Sequence, residues 1–388
     1  MQLSETVKLY LDKEQRALVY NTMKEYIMTV NGLVSFAVSG NDMTGMTSKD
    51  VSAALPSALK NQCIRDARSI LRKHKRESKR VSAKNEMLEK QGSTERIKER
   101  KVPVLKKLCC YINNQNYRIK DGKLQFPVIV KGRSSRLSVR TELTERQKDI
   151  FDSAKFGTMR IVVKNGKIIA QIVYEKTEAE TKTDGNTMGI DLGIKCPAVS
   201  YTSDGSVRFH GNGRKNRYMR RHYASMRKRL QKEKHIDAVK RIRDKEQRIM
   251  KDIDHKISRD IIETARAHDV KVIKMERLAN IRSATRTSRK NNHSLHSWSF
   301  YRLAQFIEYK AGLAGITVEY VDPKYTSQTC PVCGKINHAK DREYVCECGY
   351  HIHRDILGAI NICDSTEYVG DRDTDILHRE LYVLPYDG

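Results

Sequence analysis

The run Gly189-Ile-Asp-Leu-Gly193 decides how this chain is understood. It lies in Thr187–Lys195, an apolar strand interrupted by one carboxylate and two glycines. A lone acid in such a strand is costly to bury unless it is paired or bound to a cation. Glycine beside it lets a backbone, phosphate or metal approach closely. Further along, Val270–Met275 reads as a second apolar strand, and it closes on a carboxylate, Glu276. Asp355 opens a helix-like run to Ile362, where an acid complements the helix N-terminus. Acids from distant segments can meet at one sheet edge and hold two hard cations about 3.5–4 Å apart. That arrangement activates water and stabilises the leaving oxygen in phosphodiester hydrolysis. Taken singly, the same three acids fit an ion pair, a strand end and a helix cap equally well.

Between the second and third acids lie two cysteine pairs, Cys330-Pro-Val-Cys333 and Cys346-Glu-Cys348, separated by 12 residues. Gly334 and Gly349 follow them, where tight turns aim backbone amides at thiolates. Four thiolates suit one tetrahedral, structural Zn²⁺ with no open position. The second pair has one intervening residue rather than two, which leaves His338, His351 or His353 as substitute ligands. Cys63, Cys109, Cys110, Cys196 and Cys363 lack such spacing and read as packing residues.

The 388 residues leave room for two or more domains, at about 100–200 residues each. They carry 74 Lys+Arg against 47 Asp+Glu, a formal net charge of +27. No stretch of 18 apolar residues exists, which excludes a transmembrane helix, and Met1–Gln15 lacks a secretory pattern. Nine cysteines without an export signal argue for a reducing compartment, so the expected location is cytoplasmic, in a prokaryote at the nucleoid and nuclear only in a eukaryote. The charge is segmented. Arg65–Lys107 holds 16 basic and 6 acidic residues, and Arg214–Arg248 holds 15 and 4. Two such stretches point to polyanion grooves rather than to solvated helix faces, and nucleic acid is the expected partner. The candidate contacts are Arg72, Lys73, Lys75 and Arg76 in the first stretch. In the second they are Arg214, Lys215, Arg217, Arg220, Arg221, Arg227 and Arg229. Asp364–Gly388 reverses sign, with 7 acids and 2 arginines, and reads as a disordered solubilising end.

Alternation at Val7, Leu9 and Leu11 predicts a strand, followed by a helix over Lys13–Val38. Thr47 or Ser48 can cap a second helix, and Pro56-Ser57 can start a third. Asp121-Gly122 and Asn165-Gly166 are hairpin signals flanked by strand-like runs, so the middle block is mostly β. Lys176–Asn186 is a linker, Arg214–His268 a long helical region, and Arg277–Asn292 a mobile loop. Trp298–Ala314 is helical and Val318–Val321 is a strand.

Four blocks in order resemble the signature of the TnpB family of transposon-encoded RNA-guided nucleases, relatives of the miniature type V CRISPR effectors. They are Gly189-Ile-Asp-Leu-Gly193, Lys274-Met-Glu-Arg-Leu278, Tyr325–Gly334 and Cys348–Asp355, and the resemblance covers residues 187–362. It implies an α/β multidomain protein. A RuvC nuclease domain of RNase H-like fold (185–325 and 352–363) would be interrupted by a zinc ribbon (326–351). A β-barrel wedge domain (1–12 and 101–184) would carry a helical recognition lobe (13–100), with the acidic tail at 364–388. By the same resemblance, Asp191, Glu276 and Asp355 hold two catalytic Mg²⁺ and cleave target DNA, Cys330, Cys333, Cys346 and Cys348 hold one Zn²⁺, and the loop after Arg277 lids the site. The implied partners are a guide RNA from the gene's flank and a DNA target beside a short motif, with one protein monomer per RNA. A nuclease-weak or nuclease-dead guided repressor, or a CRISPR effector, is the alternative. Leu357 and Gly358 depart from the family's Asn and Ala at those positions.

Overall fold

A computed structural model describes residues 1–164, 166–242, 244–278, 300–339 and 341–367. The polypeptide divides into two compact units, one formed by Met1–Lys176 and one beginning at Thr177. No described helix is long and apolar enough to cross a membrane.

The first unit starts with β1 (Gln2–Tyr10) and α1 (Lys13–Val38). Asp12 and Gln15 form a reciprocal capping box at the start of α1. Met23, Tyr26, Ile27, Val30, Leu33 and Val34 recur every three or four residues and fill the core. Residues 47–55 are not helical. Thr47 closes a turn, its amide and hydroxyl donating to Asp50 at 2.8 and 2.9 Å, and helix α2 (Ser57–Lys90) starts after Pro56. Leu59, Cys63, Ile64 and Ala67 anchor α2, but beyond Ala67 only Val81 is buried. Asp66 is drawn into the α1–α2 contact, accepting from the Tyr26 hydroxyl at 2.6 Å and from Gln62 at 2.9 Å. Burial raises its pKa, and those two donors oppose the rise.

There follow β2 (Cys109–Ile112), β3 (Arg118–Lys120), β4 (Lys123–Val130), β5 (Arg133–Thr141), α3 (Glu145–Ser153), β6 (Lys155–Lys164) and β7 (Lys167–Glu175). Asp121 (φ 50°) and Gly122 (φ 66°) both take the left-handed conformation that a tight β3–β4 hairpin requires. At the other hairpin Gly166 is left-handed, and Asn165 lies outside the described residues. The strands form one antiparallel sheet in the order β2-β6-β7-β1-β5-β4-β3.

The second unit is mixed α/β. Strands β8 (Asn186–Asp191), β9 (Ala198–Thr202) and β10 (Val207–His210) lead into α4 (Gly213–Lys232), α5 (Ile236–Ile242) and α6 (Lys245–Ala267). Then come β11 (Val270–Glu276), α7 (Phe300–Leu313), β12 (Thr317–Val321), a β13 (Glu343–Val345) and β14 (His351–His353) hairpin, and α8 (Arg354–Asp364). The five-stranded sheet runs β10-β9-β8-β11-β12, with β8, β11 and β12 parallel and β9 and β10 antiparallel. The long helical region is broken at Lys234, a non-glycine residue with φ 57°. Ile257 and Ile261 of α6 join Met188, Ile190, Ile273, Met275 and Ile307 of α7 in the core. Beyond Arg277 and Leu278, the loop and lid expected at Arg277–Asn292 lie outside the described residues, as does most of the acidic tail.

Candidate active site and cysteine centre

Asp191 ends β8 and Glu276 ends β11. These strands are parallel neighbours with Ile190 opposite Met275, so both carboxylates leave the same end of the sheet side by side. Asp355 arrives from α8, where the ring of His353 accepts the Asp355 amide at 3.2 Å. Two glycines let α8 sit directly on β8. A side chain at Gly189 would collide with the backbone of Ala359 and Cys363, and one at Gly358 would lie 3.1 Å from Asp191 Oδ2. At the far end of α8, Lys274 donates to the carbonyls of Cys363 and Ser365 at 3.0 and 2.8 Å, a cation where the helix dipole is negative.

The electrostatics follow from that packing. Burial, and then the charges of Glu276 and Asp355, push Asp191 up to about 8 against the pull of Arg354 and Arg342. Burial also raises Glu276, opposed by the Thr326 hydroxyl, which donates to Glu276 Oε1. Asp355 has a cation instead: Arg342 Nη1 donates to both of its oxygens. Asn361 steadies the segment carrying Thr326 by donating to the carbonyls of Thr326 and Thr329 at 2.7 and 2.8 Å. Of the three acids, Asp191 is the one whose pKa its carboxylate neighbours raise, and an all-oxygen donor set matches a hard divalent cation.

Among the described residues, the group whose ligand atoms all lie within 4.8 Å of one another is Cys330, Cys333, Cys346 and Cys348; the acids are set wider. Cys333 and Cys346 sulfurs are 3.4 Å apart, and those of Cys330 and Cys348 are 3.7 Å apart. Sulfurs sharing one zinc at about 2.3 Å would be roughly 3.7 Å apart, so the four cysteines fit that ion. The short second pair therefore does not need a histidine: His353 caps α8, and His351 lies 3.7 Å from Glu343. The Cys348 amide lowers Cys346 to about 6, which favours the thiolate, and Asn337 donates to the same sulfur at 3.2 Å. Cys330, Tyr344 and Cys346 form a small core that is completed by Leu357 of α8. Leu357 thus packs against the cysteine centre two residues from Asp355.

The candidate basic residues fall on two helices. Arg72, Lys73, Lys75 and Arg76 are exposed on the outer half of α2, in the first unit. On α4, Arg214, Lys215, Arg221 and Arg229 are exposed, while Arg217, Arg220 and Arg227 are half-buried. Arg220 and Arg227 turn inward to Glu246 at 4.0 and 2.7 Å. Arg342, Thr326 and Asn361 escaped the sequence reading, because their partners are brought near only by folding. A further constellation, Ser200–His210–Asp260, has spacings of 2.8 and 2.6 Å. Ser200 and His210 are fully buried, so it ties α6 to the sheet and offers no accessible nucleophile.

Comparison with known proteins gives consistent neighbours. Residues 171–282 match the family described as "Probable transposase", and residues 300–362 match "Cas12f1-like, TNB domain". A TnpB-like protein of Methanocaldococcus jannaschii is 30% identical over 249 residues, spanning 60% of this chain and 88% of that protein. The CRISPR-associated endodeoxyribonuclease Cas12f1 of Sulfoacidibacillus thermotolerans is 32% identical over 193 residues, spanning 45% of this chain and 44% of that one. The fold is similar to that of Cas12f1 in a complex with single-guide RNA and target DNA. Its TM-score is 0.59 at 16% identity, with 90% of this chain and 82% of the other covered.

Proposed function

The chain belongs to the TnpB family, and from that premise we propose that it is an RNA-guided DNA endonuclease. Guide pairing beside a short motif would select the target, and the second unit would hydrolyse its phosphodiester bonds. The observation that carries this reading is the convergence of Asp191, Glu276 and Asp355, with Asp191 pushed up to about 8 by its neighbours. The strand order β10-β9-β8-β11-β12, one antiparallel arm beside three parallel strands, supports an RNase H-like RuvC domain interrupted by a zinc ribbon. The first unit's seven-stranded sheet and its two long helices support a wedge domain carrying a recognition lobe.

Asp191, Glu276 and Asp355 would hold two Mg²⁺, and Cys330, Cys333, Cys346 and Cys348 one Zn²⁺. Bound there, Mg²⁺ supplies Lewis-acid stabilisation of charge on the attacked phosphate and the leaving oxygen. Burial and the two neighbouring acids favour the protonated form of Asp191, and a divalent cation held there would favour release of that proton. Thr326 fixes one oxygen of Glu276 and leaves the other for a ligand role. Arg342 neutralises Asp355 and so keeps the third acid folded into the cluster.

The test is to express the chain with its native flanking DNA, sequence the RNA that purifies with it, and supply matched target DNA with Mg²⁺. Cutting that needs both the RNA and the match supports the proposal. Matched target bound but left intact would make the protein a guided repressor, and heterogeneous host RNA would remove the guided reading.

A further inference from the structure

Helix α4 has two unlike faces. Nine of its twenty residues are Lys or Arg and none is acidic. Its inner stripe packs within the unit: Gly213 and Tyr223 are buried, and Arg220 and Arg227 meet Glu246. The outer stripe carries Arg214, Lys215, Arg221, Lys228, Arg229 and Lys232, all exposed. In their midst the Tyr218 ring stands 65% exposed, stacked on His222 one turn later at 6.0 Å and 24°. The helix starts against the segment that follows Asp191. Gly213 donates to the Lys195 carbonyl at 3.1 Å, and any side chain at Gly213 would collide with the carbonyls of Ile194 and Lys195, three and four residues past Asp191.

We propose that the Tyr218–His222 pair is a base-stacking platform for single-stranded DNA beside the acid cluster, with the flanking cations of α4 following its phosphates. A flat aromatic surface among cations binds unpaired bases without sequence preference, because each base offers a π-face. A duplex keeps its bases stacked on one another and gains nothing from Tyr218. DNA rather than RNA is the occupant because α4 begins at the segment that follows Asp191, where the strand to be cut has to lie. The assignment to DNA rests on the proposed nuclease reading; the platform itself does not.

The experiment measures binding of RNA-loaded, full-length protein to a short single-stranded DNA, the same sequence as single-stranded RNA, and the duplex, with Ca²⁺ replacing Mg²⁺, across salt concentrations. Tyr218→Ala is expected to weaken single-stranded DNA binding by about 5- to 150-fold at every salt concentration. Tyr218→Phe retains binding, and duplex affinity stays unchanged. Arg221→Gln instead lowers the salt slope by about 0.7. Unchanged single-strand affinity in Tyr218→Ala, or an equal loss on duplex, overturns the platform. A loss confined to RNA overturns the DNA assignment. Failure of guided cleavage in the unmodified protein, with the Tyr218 effect intact, would sink the nuclease reading and leave the platform standing.

Discussion

Each unit of this protein half-buries an aspartate, and the two settings are opposites. In the first unit, Asp66 receives hydrogen bonds from Tyr26 and Gln62, which counter the desolvation that raises its pKa. In the second, Asp191 meets two more acids, and those charges add to the effect of burial. A half-buried carboxylate supplied with donors holds two helices together. A half-buried carboxylate surrounded by carboxylates is poised for a ligand the protein does not itself contain. The contrast sets an acid that joins two helices apart from one proposed to hold a ligand, without reference to any relative.

The comparison can be broken most sharply at the acids. Asp191→Ala, Glu276→Ala and Asp355→Ala should each lower target cleavage about a thousandfold or more, because metal stabilisation is worth several kcal/mol and each 1.4 kcal/mol is tenfold. RNA-loaded binding should persist. Cutting retained in all three, in a single-turnover assay, would remove the assigned site. A separate substitution, Asp191→Asn, should raise the melting temperature in Mg²⁺-free buffer, since it removes an acid whose charged form burial disfavours. An equivalent Asp66→Asn change should not, because both oxygens of Asp66 accept hydrogen bonds and the change turns one acceptor into a donor.

Loss of the thiolate centre comes next. Cys333→Ser should reduce bound zinc, measured by mass spectrometry of the metal, from about one per chain to none. Because Leu357 closes the same small core, Asp355 should then lose its support and cleavage should fall with the zinc. Full zinc occupancy in the variant would show that the four sulfurs do not act as a set.

Two smaller effects sharpen the contrast. Tyr26→Phe removes a donor from Asp66 and should cost about 1–3 kcal/mol of the first unit's stability in urea unfolding, with no effect on metal response. Asp191's folded pKa lies above its unfolded value near 3.9. Its protonated form therefore stabilises the metal-free fold fully at low pH, and that contribution is lost as pH rises from about 4 through about 8. The melting temperature of metal-free protein should decline over that window, and Mg²⁺ should reverse the decline at its upper end. A flat profile would mean Asp191 finds a partner that the fold does not reveal.

How much of this was legible beforehand depended on whether a residue's role is local. Strand β11 matches its predicted bounds because an apolar run ending in a charge carries its own limits, and α1 does so because its period and cap coincide. The helix break at Lys234 was invisible, since no glycine or proline marks a positive φ there. Charge density singled out α4 but could not say that Arg220 and Arg227 face Glu246, a fact of packing between helices. Leu357 looked like a missing polar group; in the fold it is a core residue of the cysteine centre. Arg342 is one arginine among many until the β13–β14 hairpin brings it onto Asp355.

Helix α8 has a consequence for anyone wishing to re-engineer the molecule. One side of its first turns closes the cysteine core through Leu357, and another lies against Asp191 through Gly358. The cysteine segment is therefore not a detachable module. A graft that exchanges residues 326–351 for a different ribbon would leave Leu357 facing a surface it was never shaped for. Misfit there would reach the carboxylates through a single rigid helix. Trimming or swapping should treat everything from Thr326 to Asp364 as one cassette.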